Sequence, residues 1–435
     1  WADNPDRMPI TDVLIPASLI GRRSTETGNS NLMKAMFPGI RARAALVLGA
    51  LVLCSLGAQA QIDALGQAWM QRYNGAANQQ DSASALASDP SGNVLIAGQA
   101  IVSSGQPADM VVGKYSGTGQ RLWVATYNGG AGNESVASAI GSDALGNIYV
   151  AGSSGGDIVV LKYTPAGSRQ WAMRYEDTST GYSTPAGIAV DSAGNVTVAA
   201  TTAQDSSRSS DILILRYSTS GVLNWVVRAD GAAAGNDSAE AISLDSQGNV
   251  VVVGTSWGGD AGDFDIVVLK YSPTGAPLWN YRYNGIGIWD EARSLAVDPT
   301  GNIYVGGFTQ GFWALLKFSP TGSLLWSLLE PAGTGEIADL ALDGAGNVLV
   351  VGSEDYGQNP YSYDFGIAKY TAAGSRVWSR TYNGPNGGVD AAHDVAVDSA
   401  GSAYVSGYSS ADLLDNRGEI AIVKYDQNGV ALWNE

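Results

Sequence analysis

Carboxylates are the side chains of this sequence whose number and spacing could support chemistry. Six acids stand at related points, each shortly before a short apolar segment: Asp81, Glu134, Asp237, Asp290, Glu336 and Asp390. Hard cations such as Ca²⁺ take oxygen ligands, so acids brought together in a ring could hold such an ion. We treat these six residues as a candidate cation-binding collar. The alternative is that they are solvated loop charges.

Aromatic side chains form a second candidate set: Trp257, Phe264, Trp289, Tyr356, Tyr361 and Tyr363. Exposed rings beside acids suit stacking on sugar rings or contact with peptide side chains, and apolar patches with polar rims often mark binding sites. The sequence therefore predicts a carbohydrate or protein ligand in this region. The alternative is that the rings fold back onto their own strands.

Catalytic chemistry has weaker support. His393 is the only histidine and Cys54 the only cysteine, which excludes a His-rich metal site and leaves any nucleophilic triad dependent on one residue. We expect no catalytic residues and no cofactor apart from the collar cation. One enzymatic alternative stays open, a lyase or glycosidase at the mouth of a channel. It would use acids from Asp290, Glu291, Glu336 and Asp390 near His393.

These candidates are positioned by an internal repeat. An Asp-x-x-Gly turn recurs at spacings of 45 to 55 residues, beginning at Asp89, Asp143, Asp191, Asp245, Asp298, Asp343 and Asp398. The apolar segments between the turns are short, rich in Val, Ile and Tyr, and interrupted by Gly, which is typical of strands rather than helices. The spacing is close to that of propeller blades. We predict an all-β, seven-bladed β-propeller of four-stranded antiparallel blades.

The unit after Asp237 shows the predicted strands most clearly. They are Ser238 to Leu244, Asn249 to Val253, Asp265 to Tyr271, and a fourth strand from Leu278 to Tyr283. In the next unit, Asp298-Pro299-Thr300-Gly301 has the residue preferences of a type I turn. The chain enters the repeats through a lone fourth strand around Trp69. We predict that this N-terminal strand joins the last blade and closes the ring.

The repeat resembles a known family. The pattern Asp245-Ser-Gln-Gly-Asn-Val-Val-Val-Val-Gly254, then Asp265 to Lys270-Tyr271, then Trp279, is similar to the bacterial β-propeller repeat called SBBP, which is related to delta-60 and PQQ-like repeats. The resemblance covers residues 67 to 435. It implies a seven-bladed propeller in exported bacterial proteins and transfers no catalytic motif. The chain departs from the pattern at Arg216, which replaces the Lys, and at Ala200, Phe312 and Ser402.

Residues present in every blade are best explained by something that every blade needs. The Lys series that ends at Lys424 should reach across one strand to the turn Asp of its own blade. The Trp series that runs from Trp69 to Trp433 should pack between blades. Only one carboxylate falls in each turn, so we interpret the turn Asp as a turn cap rather than a Ca²⁺ ligand.

Charge and the N-terminal region bear on location and partners. The formal net charge is −17, which argues against nucleic acid and anionic membranes as partners. Residues 33–60 have the charge, apolar core and Ala58-Gln59-Ala60 cleavage site of a signal peptide. Residues 1–32 read as an upstream leader that we expect to be disordered, and residues 61–435 as the propeller. Lipidation at Cys54 is the alternative to cleavage.

The sequence thus predicts a secreted protein whose mature part does not insert into membranes and is a monomer. Its function is predicted to be that of a non-catalytic scaffold that binds a glycan, peptide or surface partner. Turns on one rim are short and uniform, whereas loops on the other rim vary in length, and functional residues concentrate on such loops. A structural spacer module of a larger surface protein is a further alternative.

Overall fold

The computed structural model describes residues 69–130, 132–177, 181–203, 209–231, 235–258, 263–331, 335–354, 363–384, 388–410 and 419–434. These residues form 28 strands in seven four-stranded antiparallel sheets, and the described ranges contain no helix. Each sheet is a meander of four consecutive strands, so the predicted seven-bladed β-propeller is confirmed. Tyr, Val and Ile side chains pack between neighbouring sheets and form the cores.

The strand bounds follow the repeat. Blade 1 contains β1 (Asp81–Ser88), β2 (Val94–Ala100), β3 (Asp109–Tyr115) and β4 (Arg121–Tyr127). Blade 2 contains β5 (Ser135–Ser142), β6 (Ile148–Ser154), β7 (Asp157–Tyr163) and β8 (Arg169–Tyr175). Blade 3 contains β9 (Ser183–Val190), β10 (Val196–Ala203), β11 (Ser210–Tyr217) and β12 (Leu223–Ala229). Blade 4 contains β13 (Asp237–Leu244), β14 (Val250–Trp257), β15 (Phe264–Tyr271) and β16 (Pro277–Tyr283).

Blades 5 to 7 repeat the order. Blade 5 contains β17 (Asp290–Val297), β18 (Ile303–Thr309), β19 (Phe312–Phe318) and β20 (Leu324–Pro331). Blade 6 contains β21 (Ile337–Leu342), β22 (Val348–Glu354), β23 (Asp364–Tyr370) and β24 (Arg376–Tyr382). Blade 7 contains β25 (Asp390–Val397), β26 (Ala403–Ser409), β27 (Glu419–Tyr425) and β28 (Ala431–Asn434). The first strand of each blade lies beside the first strand of the next blade from blade 1 to blade 7, which places these strands around the central channel of the propeller.

The recurring turn Asp is a turn cap, as predicted. In blade 4, one carboxylate oxygen of Asp245 accepts hydrogen bonds from the backbone N–H groups of Gln247 and Asn249, each at 2.9 Å. The other oxygen accepts from the Asn249 side chain and from Lys270, each at 2.8 Å. The oxygens of this carboxylate are thus already engaged inside the fold.

The Lys and Trp series join consecutive blades, but the predicted ion pair with the turn Asp of the same blade does not form in every blade. Lys114, Lys270 and Lys369 form it. Lys162 and Lys317 instead donate to the turn of the next blade. Lys270 Nζ also donates to the backbone oxygen of Pro320 in the next blade at 3.2 Å. The Trp279 indole donates to the same oxygen at 3.0 Å. The same two donors meet one acceptor between blades 1 and 2, where Lys114 and Trp123 bond to Pro165 O. Each such junction combines a buried ion pair with a shared acceptor on the neighbouring turn.

The second strand of blade 4 extends beyond its predicted end at Val253. Gly254 lies inside β14, which continues to Trp257. A Cβ on Gly254 would lie 2.1 Å from the carbonyl oxygen of Ser238, because β13 bulges at that point. Five further blades place a glycine against the same backbone oxygen, namely Gly98, Gly152, Gly307, Gly352 and Gly407. The glycine therefore accommodates a bulge rather than ending a strand.

The predicted ring closure stays a prediction. The sheet of blade 7 has four strands of its own, β25 to β28. The Trp69 indole donates to the backbone oxygen of Gly117 in blade 1 at 3.1 Å, and residues 69–80 are not part of a strand. Trp69 thus makes with blade 1 the contact that each interior Trp makes with its following blade.

Candidate functional site

The bulge in the first strand of every blade sets one residue apart at the central channel. The residues at this position are Ser84, Ser138, Ala186, Glu240, Arg293, Ala338 and His393. The bulge is present in every blade and therefore belongs to the repeat, whereas the residue at the bulge differs from blade to blade. Blades 4, 5 and 7 carry the ionisable ones. The channel is therefore chemically asymmetric although its backbone repeats.

Arg293 is the centre of this asymmetric region. Its guanidinium Nη2 lies 2.5 Å from Glu291 and 2.7 Å from Glu336 of the next blade, and its Nε donates to Glu336 at 2.9 Å. Burial alone would lower the pKa of Arg293, but Glu336, Glu291 and Glu240 outweigh it and raise the pKa. Arg293 is therefore fixed as a cation between carboxylates of two blades.

His393 occupies the same channel from blade 7. Its side chain is accessible to water, yet surrounding protein lowers the pKa of the imidazole, with Glu336 acting in the opposite direction. Between Arg293 and His393, blade 6 has only the small Ala338 at its bulge. His393 stands out in the sequence as the sole histidine, but only the register of the bulges shows that it occupies the same blade position as Arg293.

Three of the six candidate aromatics form one stack at the junction of blades 4 and 5. The ring centroids of Trp257 and Phe264 are 6.1 Å apart, and those of Phe264 and Trp289 are 5.8 Å apart with an interplanar angle of 26°. Phe264 N–H donates to Ile288 O at 3.0 Å, which ties the two loops together. All three rings are partly exposed. They neither scatter nor disappear into the core.

The stack is connected to the channel through Glu291. The Trp289 indole N–H donates to one Glu291 oxygen at 2.5 Å, and the other Glu291 oxygen pairs with Arg293. A continuous path of contacts therefore runs from the aromatic rings at the rim to the charged residues of the channel. We call the set Trp257, Phe264, Trp289, Glu291 and Arg293 the rim site.

The remaining candidate aromatics lie elsewhere. Tyr356 and Tyr361 lie outside the described residues. Tyr363 lies between blades 6 and 7, where its backbone oxygen accepts a hydrogen bond from Asp390 N at 2.6 Å. Trp313 of β19 belongs to the core and is 2% exposed.

Four of the collar acids are engaged by the loop that precedes them. The carboxylates of Asp81, Asp237, Asp290 and Asp390 accept hydrogen bonds from the backbone N–H groups of Gly75, Gly231, Gly285 and Gly384 respectively. Asp290 is 0% exposed and also accepts from the Thr309 hydroxyl. Burial raises the pKa of Asp290 to about 6. These contacts give the acids a loop-capping role, and a bound cation at the collar stays an untested prediction.

The other two collar acids differ from these four. Glu134 is exposed and lines a cavity of about 470 Å³ with Gln80, Gln99 and Pro107. Glu336 pairs with Arg293, as described above. The six acids of the predicted collar therefore occupy three different environments. Four cap a loop, Glu134 lines a cavity, and Glu336 pairs with Arg293.

Within the part of the chain that the structure describes, one group of acids has ligand atoms close enough for a metal ion: Asp211, Asp230 and Asp237. Asp211 pairs with Arg228 at 3.0 Å, and Arg228 also pairs with Asp177 at 2.6 Å. Asp237 caps Gly231. These neighbours engage two of the three carboxylates, and the group by itself gives no evidence of an ion.

Comparison with known proteins finds similarity only among solved structures. No protein-family model and no curated protein matches the chain. A solved protein from Lactobacillus plantarum is similar with a TM-score of 0.50 at 15% identity, over 79% of this chain and 95% of that one. A puromycin hydrolase mutant gives 0.49 at 14% identity, over 84% of this chain and 55% of that one.

Virginiamycin B lyase from Staphylococcus aureus gives a TM-score of 0.47 at 10% identity, over 76% of this chain and 92% of that chain. Likeness at these identities shows the fold alone, since one fold hosts unrelated activities. Within the described ranges, no helix has the length and apolar character needed to cross a bilayer.

Proposed function

We propose that the chain is a non-catalytic binding propeller that recognises a carbohydrate at the rim site. The observation that carries this proposal is the stack of Trp257, Phe264 and Trp289, connected through Glu291 to Arg293. Aromatic rings offer apolar faces to the C–H groups of a sugar, and neighbouring ionic side chains hydrogen-bond its hydroxyls.

A carbohydrate is favoured over an extended peptide by the way the rings are held. The two loops are joined by a backbone hydrogen bond, and the Trp289 indole is fixed by Glu291, so the rings are arranged before a ligand arrives. Preorganised aromatic side chains lose little entropy on binding. The site offers a narrow set of rings rather than a free strand edge to which a peptide could add.

The glycosidase alternative is less well supported by the charged residues. Glycosidases use one protonated acid and one ionised carboxylate across the sugar bond. Glu291 and Glu336 instead both form ion pairs with the Arg293 guanidinium. Asp290 has the raised pKa of a candidate acid but is fully buried behind Gly285 and Thr309. An arrangement of two anions around one cation suits binding better than proton transfer.

The test is a glycan array probed with the purified wild-type chain, W289A and Y182A. Tyr182 is a matched control because it is an exposed aromatic, at 77%, on the loop rim of blade 3 and outside the stack. We expect a defined set of glycans to bind wild type and Y182A, and W289A to bind them at least about tenfold more weakly. Silence of the wild-type protein across the array, or unchanged binding by W289A, would overturn the proposal.

We also propose that the chain is exported through residues 33–60, which lie outside the described residues. The low charge density, with 15% charged residues, and the single cysteine are compatible with this location. Expression with the native leader followed by N-terminal sequencing of the exported product should give Gln61 as the first residue. Retention of the product with a lipid on Cys54 would instead support the lipoprotein alternative.

A further inference from the structure

The junction of blades 5 and 6 differs from the other blade junctions in a way that the repeat does not require. A cavity of about 410 Å³ opens there, lined among others by Trp313, Glu330, Glu354, Tyr370 and Arg376. Cavities of this size hold small molecules rather than polymers. None of these residues belongs to the rim site.

The cavity exists because two bulky repeat residues are missing. Glu330 stands opposite Trp313 in the pairing of β19 with β20, the position at which four other blades have Tyr127, Tyr175, Tyr283 and Tyr382. Ala368 of β23 stands where four blades have Leu161, Leu215, Leu269 and Leu316. Both changes remove buried side-chain volume from the same junction. A protein interior is otherwise closely packed, so such a hollow is an exception.

A third departure adds charge. Glu354 ends β22 at the position of Ser154, Thr202, Ser256, Thr309 and Ser409 in five other blades. Two carboxylates thus replace a tyrosine and a hydroxyl residue at one junction. Glu330 is held in place by Arg376, whose Nη1 is 3.3 Å from its oxygen. Burial raises the pKa of the neighbouring Tyr370, and a hydrogen bond to Glu330 raises it further, so the phenol stays a hydrogen-bond donor to that carboxylate.

The lining therefore has both signs of charge. Glu330 and Glu354 can receive an ammonium group, and Arg376 can receive a carboxylate as a bidentate donor. The apolar Ala368 and the edge of Trp313 border the space between them. The Glu330 and Arg376 side chains are 34% and 53% exposed, and ion pairs this open to solvent are weak enough for a ligand to replace.

We infer that the cavity between blades 5 and 6 is a binding site for a small zwitterion, that is, a free α-amino acid. Its ammonium group would lie at Glu330 and Glu354, its carboxylate at Arg376, and its side chain against Ala368 and Trp313. The site is independent of the carbohydrate site, because the two share no residue.

The test is isothermal titration of the chain with individual free L-amino acids up to about 10 mM. For those that bind, the matching amino-acid amides and N-acetyl amino acids are then titrated. We expect at least one amino acid to bind at a single site, and both blocked forms to bind at least about tenfold more weakly, because each lacks one charge. E330Q should weaken binding to a similar extent, and A368L, which restores the repeat residue and fills the cavity, should abolish it.

Two controls keep the result interpretable. E176Q changes an exposed glutamate that follows β8 on another blade, and it should bind like wild type. W289A, which removes the carbohydrate site, should also bind amino acids normally, so the two proposals can fail separately. Circular dichroism verifies that E330Q and A368L are folded. The inference is overturned if no amino acid binds, if a blocked form, a neutral sugar or a diamine binds equally well, or if folded A368L binds unchanged.

Discussion

One rim of the propeller carries the short turns that begin at the recurring Asp, such as Asp245, and the other carries the variable loops that precede acids such as Asp290. At the turn rim, Asp245 lies beside Lys270 and two backbone N–H groups. At the loop rim, Asp290 is buried with a single hydroxyl and one backbone N–H. Burial by itself would raise the pKa of either carboxyl. At Asp245 the hydrogen bonds from Lys270 and Asn249 outweigh burial and lower the pKa. At Asp290 burial dominates and raises the pKa to about 6.

The same contrast holds for other acids at the two rims. The pKa values of Asp89 and Asp343 at the turn rim are lowered, in each case because hydrogen bonds from the paired lysine and asparagine outweigh burial. Those of Asp237 and Asp265 at the loop rim are raised by burial. The repeat thus uses aspartate for stability at the turn rim, whereas at the loop rim, where we propose that the ligand binds, it keeps carboxyls whose ionised form is disfavoured by burial.

The largest expected loss of stability comes from replacing Asp245 at the turn rim. D245A leaves Lys270 buried without its carboxylate and removes the cap of the turn, so we expect a loss of about 3–5 kcal/mol of unfolding free energy at pH 7. Urea unfolding measures the loss. D245N keeps an acceptor for the turn N–H groups and should lose less. A change below about 1 kcal/mol in D245A would contradict the structural role of the series.

Replacing Asp290 should have the opposite sign. Its folded pKa is above the unfolded value, so the native state binds the extra proton between about pH 4 and 6. The ionised carboxyl therefore costs stability at pH 7, and this cost decreases as the pH falls from about 6 and is gone near pH 4. D290N keeps the acceptor for Gly285 and should gain about 2 kcal/mol at pH 7 and nothing near pH 4. A loss of stability in D290N at pH 7 would show that the carboxylate is needed in its charged form.

The bulge behind the channel gives a smaller effect. In G254A a Cβ on the present backbone would lie 2.1 Å from the carbonyl oxygen of Ser238. Because this is too close, β13 and β14 must shift, at a cost of about 1–3 kcal/mol of unfolding free energy. A matched control is A200G at the same position of blade 3, which carries no such clash and should change stability by less than about 1 kcal/mol. Nothing in the structure explains why blade 3 has Ala200 where six blades have glycine. Equal effects of the two variants would show that the bulge does not select glycine.

The smallest expected change in stability belongs to the rim site. W289A removes one ring contact and one hydrogen bond at the surface, which should cost about 1 kcal/mol in thermal or urea unfolding. Its carbohydrate binding should nevertheless fall by an order of magnitude. A loss of unfolding free energy in W289A as large as that in D245A would contradict this difference between the two rims.

The regular part of the molecule could be predicted from the sequence because its residue types recur from blade to blade. The structure confirms the turn Asp and the Trp between blades, and it confirms the Lys partner in some blades, including Lys114, Lys270 and Lys369. The sequence predicts that the second strand of blade 4 ends before Gly254, because the bulge that faces this glycine lies in the neighbouring strand β13 and has no signal in the sequence of β14. Register between two strands depends on hydrogen bonding across them, which composition does not show.

The irregular part was predicted only in outline. The structure brings together three of the aromatic residues that the sequence singles out, Trp257, Phe264 and Trp289, and their role in binding stays a prediction. Arg293 and Glu330 were missed, although a signal was present, since each departs from what the other blades have at its position. Aligning the blades by their glycines would have placed Arg293 with His393, and Glu330 with the tyrosines of four other blades.

We propose that blade-specific residues at the loop rim bind the ligand, whereas the repeated residues hold the blades together. Hydrogen–deuterium exchange of the chain, with and without the oligosaccharide that binds best on the array, tests it most directly. We predict protection of the loop segments at 257–258, 264 and 285–289, with no change in the turns at 245–249 and 272–275. Protection at those turns, with none around Trp289, would contradict the account.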